Sequence, residues 1–182
     1  MPSAESVARY FLHLAATGSE PTPVTQMQLH KLLYYAQGWS LATRGCGLFV
    51  APIKAWTHGP VVAELRPRFA NFGSDPIPAT EASEEGLNDA DRAFVWWVWK
   101  RYGRYTGAFL RQLTHREPPW REARGTLPEG ARSDATIDEN RMKEHFGVLH
   151  QKQCERAGLS ADRLSEARQE ARNGKLTPIS EL

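Results

Sequence analysis

The stretch from Val24 to Thr43 constrains the fold more than any other part of the chain. Thr25, with Gln28 three residues on, has the spacing of a capping box, which satisfies backbone N–H groups that a helix start leaves unpaired. Val24 and Leu29 flank that start as a hydrophobic staple. Leu29, Leu32, Leu33, Ala36 and Ser40 then share one face, predicting a helix to about Thr43 that Gly45-Cys46-Gly47 ends. The same helix carries Lys31, Tyr34, Tyr35, Gln37 and Trp39, although a helix turns only about a third to a half of its circumference to one core. Aromatic area is therefore expected to remain for a second surface. Packing of Tyr35 and Trp39 on a following strand through Trp56 takes up part of it, and Lys31 with Tyr34 is the pair expected to face a partner.

The remaining elements read from similar local signals. Ser3 caps a first helix bearing Val7, Tyr10, Phe11 and Leu14, which Gly18 stops. After Pro52, Ile53, Ala55 and Thr57 alternate with Lys54, Trp56 and His58, predicting a short strand with Trp56 and His58 on one face. Gly59-Pro60 is expected to break it, with the proline opening a helix through Val62, Leu65, Phe69 and Phe72. His58-Gly59-Pro60 needs no ligand on this reading, since glycine permits positive φ and proline suits a first helical turn. Residues 74–87 read as a solvated loop. Asn88 caps a helix to about Tyr102, and Thr106 recaps a shorter one to Thr114. Pro118-Pro119 predicts an extended exit that leaves Trp120 as an apolar anchor beside His115. A helix from about Asp138 carries Met142, Phe146 and Leu149, and a charged, solvated helix is expected over Ser160 to Arg172.

The fold class predicted is mainly α: a compact helical domain over residues 1–149 with a small two- or three-stranded β element between helices two and three, then a charged helix and tail over 150–182. A chain of 182 residues with 41% apolar content suits one core. No apolar run approaches the roughly 20 residues that span a bilayer, and the N-terminus lacks a signal-peptide pattern, so a soluble, cytoplasmic protein is expected. Cys46 and Cys154 lack zinc-ligand spacing and read as ordinary thiols. No phosphate-binding glycine loop, nucleophile elbow or metalloprotease pair occurs. His30, His58 and His115 carry no paired ligand spacing beyond Glu117 two residues after His115, so no catalytic site, metal or cofactor is expected. A hydrolase using His58, His115 and Glu117 is the weakest of three readings.

A net charge of +2 conceals an uneven distribution. Residues 1–99 sum to −2, residues 100–124 to +5, and residues 125–182 to −1. The basic segment is arginine-rich: Arg101, Arg104, Arg111, Arg116, Arg121 and Arg124. Arginine binds carboxylates bidentately and loses less on desolvation than lysine, which favours an acidic protein partner over a general nucleic-acid surface. A nucleic-acid-binding regulator with a winged-helix-like layout is the alternative.

Three blocks, Leu29-His30-Lys31-Leu32-Leu33-Tyr34-Tyr35-Ala36-Gln37-Gly38-Trp39, Ala55-Trp56-Thr57-His58-Gly59-Pro60-Val61-Val62 and Leu113-Thr114-His115-Arg116-Glu117-Pro118-Pro119-Trp120, resemble the Panacea domain, a phage-associated domain typified by GepA and SocA proteins. The resemblance runs from about Val7 to Phe146. It implies an antitoxin that binds and neutralises a cognate protein toxin. Its SocA branch further implies a proteolytic adaptor that brings the toxin to the ClpXP protease. His30 departs from the glutamine or other polar residue that relatives commonly carry there. Partner-binding residues expected on these grounds are Lys31, Tyr34, Tyr35, Gln37, Trp39, Trp56, His58, Arg101, Arg104, Arg111, His115, Arg116 and Trp120.

Overall fold

The computed structural model describes residues 1–128 and 130–157. Helix α1 (Ala4–Thr17) starts where Ser3 Oγ accepts from the Ser6 amide, and α2 (Gln26–Thr43) where Thr25 accepts from the Gln28 amide. Only half of the expected capping box forms. The Gln28 side chain turns away from Thr25 and donates to the carbonyls of Gly103 and Tyr105 at 3.0 and 2.9 Å. Val24 and Leu29 are both buried, as a staple requires.

Strands β1 (Ile53–Trp56) and β2 (Gly59–Val62) form an antiparallel hairpin in which Ile53 faces Val62 and Trp56 faces Gly59. This corrects the expectation that Gly59-Pro60 ends the strand and opens a helix. Gly59 at φ +97° reverses the chain into a second strand, and helical turns begin only at Ala63. Pro60 is tolerated because β2 pairs on one side alone, so its missing N–H costs no ladder bond. On the other edge of β1, the Ala55 amide donates to Ala135 and the Ile137 amide to Ile53, both at 2.8 Å.

A short helix α3 (Arg66–Phe69) follows, then α4 (Asp89–Tyr102), α5 (Gly107–Arg116), α6 (Pro118–Arg124) and α7 (Glu139–Arg156). Asn88, Thr106 and Asp138 cap α4, α5 and α7 through their side chains. The extended exit before Pro118 and Pro119 is confined to Glu117, at φ −84° and ψ 136°. The two prolines occupy the first turn of α6, where the absent N–H would be unpaired in any case. Helix α7 runs through the expected boundary at Leu149 and buries Cys154; the charged helix expected over Ser160 to Arg172 lies outside the described residues.

Helix α2 is the axis of the molecule, touching α1, α4, α5, α7 and β2. Every residue from Gln28 to Leu41 is buried. The one-faced core assumed from its sequence is therefore wrong: α2 is covered on all sides, which is the other condition under which a helix carries apolar residues around its whole circumference. The approach of α7 is close at Gly38, where a Cβ would lie 2.1 Å from the Phe146 ring.

Candidate functional site

Burying a whole helix also buries its polar side chains, and the two ends of α2 treat them differently. Toward the C-terminus, Gln37 accepts from the amides of Leu48 and Phe49 and donates to the Phe49 carbonyl and to Glu139. Trp39 Nε1 donates to the Tyr102 hydroxyl at 2.9 Å, and Ser40 donates to the Cys46 carbonyl. Toward the N-terminus, both ring nitrogens of His30 are buried with no hydrogen-bond partner. Burial, reinforced by the charges of Lys31 and Arg66, pulls the His30 imidazole down to about 3, so it is neutral. Lys31 is 1% exposed, and its Nζ donates to the Pro60 carbonyl at 3.1 Å. Burial, with Arg111 second, lowers its ammonium to about 7.

Gly59 makes room for that lysine. A Cβ there would lie 2.7 Å from Lys31 Cε and 3.0 Å from Thr114 Oγ1, a second reason for glycine beside its positive φ. His30 and Lys31 line a groove of about 1420 Å³, together with Met27, Trp56, His58, Val61, Arg66, Ala108, Arg132 and Asp134. The Arg66 guanidinium lies 5.6 Å from the centre of the Trp56 ring, held there by cation–π attraction. Asp134 faces Lys54 at 3.6 Å and accepts from Trp56 Nε1 at 3.2 Å.

Three expected partner residues, Lys31, Trp56 and His58, therefore meet at this groove. The others do not. Tyr34, Tyr35 and Trp39 are fully buried, so the second aromatic surface expected of α2 does not exist. Tyr35 and Trp39 also pack elsewhere than on the Trp56 strand. Tyr35 stacks on Tyr102 at 4.0 Å, and Trp39 meets Trp97 and Phe146 edge-on. Gln37 is occupied by its own chain. Trp120 is buried, donates to the Trp56 carbonyl and stacks on His115 at 4.0 Å. His115 and Trp120 line a separate cavity of about 730 Å³, so His115 and His58 do not share a site.

The arginine segment is divided among three helices and the turn between α4 and α5, with different local duties. Arg101 lies over the rings of Trp39, Trp97 and Tyr102, and Arg104 over Tyr105. Arg111 is half-buried on α5, while Arg116 and Arg121 are exposed. Arg124 is buried and donates to the carbonyls of Ala55, Pro128 and Ala131. A single basic face is not what these residues build. The groove's own cations beside Lys31, Arg66 and Arg132, lie outside the basic segment.

A second polar cluster sits between α2, α6 and α7. The Tyr35 hydroxyl donates to Glu117 Oε1 at 3.0 Å, and His145 Nε2 lies 3.9 Å from Oε2. The Tyr34 hydroxyl approaches the same carboxyl without completing a hydrogen bond. Burial raises Glu117 to about 7 against the opposing effect of the two tyrosine hydroxyls. Among the described residues, no group of three His, Cys, Asp or Glu side chains is placed to hold a metal ion, and no helix is long and apolar enough to cross a membrane.

A helical domain with a hairpin-walled groove is the class of molecule this geometry defines. The model of the SocA-like antitoxin Panacea domain matches residues 29–121, and the chain belongs to that family. The match is shorter than the span from Val7 to Phe146 suggested by the sequence, yet it contains α2 from Leu29 on, the hairpin, and α5. No curated protein and no solved structure matches the chain.

Proposed function

We propose that this chain is a non-enzymatic, cytoplasmic antitoxin that binds one cognate protein toxin through the groove over the start of α2. The observation that carries the reading is the family match over residues 29–121, which spans His30, Lys31 and the hairpin wall of the groove. A groove with buried, unspent hydrogen-bonding groups at its floor suits a protein partner, since fully desolvated polar and arginine anchors carry much of an interface's energy.

In a second step, the bound toxin is delivered to the ClpXP protease, with residues 158–182 as the tether. Co-expression with the product of the neighbouring reading frame tests the first step. Growth rescue and co-purification are expected, and toxicity that persists without a complex refutes it. Deleting residues 158–182 tests the second: binding should persist while assisted degradation stops.

A further inference from the structure

We infer that the groove takes an extended, carboxylate-bearing segment of the protein partner, with an acidic side chain seated on Lys31 and the flanking chain lying along Arg66 and Arg132. This rests on the antitoxin reading and adds the chemistry of the bound segment.

The floor of the groove is the first reason. Lys31 carries three N–H donors and makes one hydrogen bond, to Pro60. No carboxylate lies within ion-pair distance of it among the described residues. His30, beside it, has both ring nitrogens buried and unpaired, so a neutral imidazole offers one donor and one acceptor. Buried polar groups in native proteins are nearly always paired, and Gln28, Gln37 and Ser40 on the same helix are. The unpaired buried groups of α2 are the Tyr34 hydroxyl, which lies against Glu117 inside the core, and the two His30 nitrogens, which line the groove, so a partner for His30 can come from outside the chain.

Charge supplies the second reason. Lys31, Arg66 and Arg132 face one carboxylate in the lining, Asp134, which Lys54 and Trp56 already hold. Neither Arg66 nor Arg132 has a carboxylate partner among the described residues. Size and shape decide between occupants. About 1420 Å³ exceeds the roughly 300–1,000 Å³ of a small-molecule pocket, and Met27, Val61 and Ala108 add apolar wall. A nucleic-acid backbone would meet the exposed Arg66 and Arg132 but not Lys31, which is 1% exposed, so a projecting side chain suits the floor better.

Proton linkage gives an independent readout. Arg111 from α5 acts on Lys31 directly, His30 of α2 adjoins it, Arg66 from α3 acts on His30, and His58 of the hairpin turn lines the same groove. In the free protein its ammonium titrates at about 7. A carboxylate seated on it restores the charged form, so binding at pH 8 takes up a proton and affinity falls as pH rises above 7.

The experiment uses the full chain and, as probe, the purified product of the neighbouring reading frame. Arg66→Glu with Arg132→Glu should weaken Kd at least tenfold, and Lys31→Met should do the same while abolishing proton uptake seen by calorimetry in buffers of different ionisation enthalpy. Circular dichroism establishes that each variant is folded. A photo-crosslinker replacing the exposed His58 should label a partner segment containing Asp or Glu, and amide substitution of those carboxylates should reproduce the loss. If folded variants keep their affinity, or adducts map to a segment without Asp or Glu or to a second copy of this chain, the inference is overturned while the antitoxin reading stands. If the wild-type chain does not bind the probe at all, the antitoxin reading itself fails and this inference falls with it.

Discussion

The two ends of α2 are equally buried and chemically unalike. Around Gln37 and Trp39, the side chains of Gln37, Trp39 and Ser40 find partners within the chain, and α7 closes over Gly38. Around His30 and Lys31, the helix is just as hidden, yet its ring nitrogens are unpaired and its ammonium is held by one carbonyl. Burial alone therefore does not separate core from site. Unpaired polar atoms that also line a groove do, since the Tyr34 hydroxyl is unpaired inside the core, and an unmade hydrogen bond costs more than a made one contributes.

Matched substitutions at the two ends are the most direct way to break this contrast. Gln37→Leu strands the amides of Leu48 and Phe49 and should cost about 2–4 kcal/mol in urea unfolding, the sum of two desolvated donors. A cost below about 1 kcal/mol would mean that the C-terminal half is not the satisfied end.

The Glu117 cluster offers an effect of intermediate size with a definite sign. Its carboxyl titrates at about 7 in the folded chain against 4.5 ordinarily, so the folded state binds the extra proton between those values. Stability contributed by Glu117 is present below pH 4.5 and is lost as pH rises through 7. His30 acts oppositely: its pKa falls from 6.5 to about 3, so stability rises with pH across that window. Glu117→Gln should remove the decline and steepen the rise between pH 4.5 and 6.5, by up to about 3 kcal/mol. An unchanged pH profile of thermal unfolding would remove Glu117 from the balance.

The smallest effect is expected at the groove. His30→Leu replaces two unpaired nitrogens by apolar atoms and should leave stability unchanged or raise it by about 1 kcal/mol. A loss comparable to that of Gln37→Leu would show His30 to be a satisfied core residue, and the contrast between the two ends would disappear.

Much of the groove was hard to read from residues alone. Trp56, His58 and Lys31 stand out in sequence as unusual residue types, and the structure gathers them. His30 was visible as one of three histidines without paired ligand spacing and as a departure from a resemblance. Arg66 and Arg132 looked like ordinary solvated charges, because nothing within their own segments says that Trp56 holds one and that residues 130–134 bring the other to the hairpin. The arginine-rich stretch misled for the converse reason. Its density is a property of the chain, whereas Arg124 spends its guanidinium on Ala55, Pro128 and Ala131.

What the sequence determined by itself is where helices begin and what kind of fold they make. Ser3, Thr25, Asn88 and Thr106 each cap a helix as read, and Asp138 caps the helix expected to start near it, since a cap is a hydrogen bond completed within two or three residues. Membership in the Panacea family was legible for a similar reason, three local blocks in order. Tertiary structure alone decided that α2 is covered all round, that Gly59-Pro60 continues into a strand, and that His30 and Lys31 are left with groups to spare. Those outcomes depend on Phe146, Tyr102 and Thr114 arriving from distant parts of the chain, and no periodicity within one helix records which neighbours will cover it.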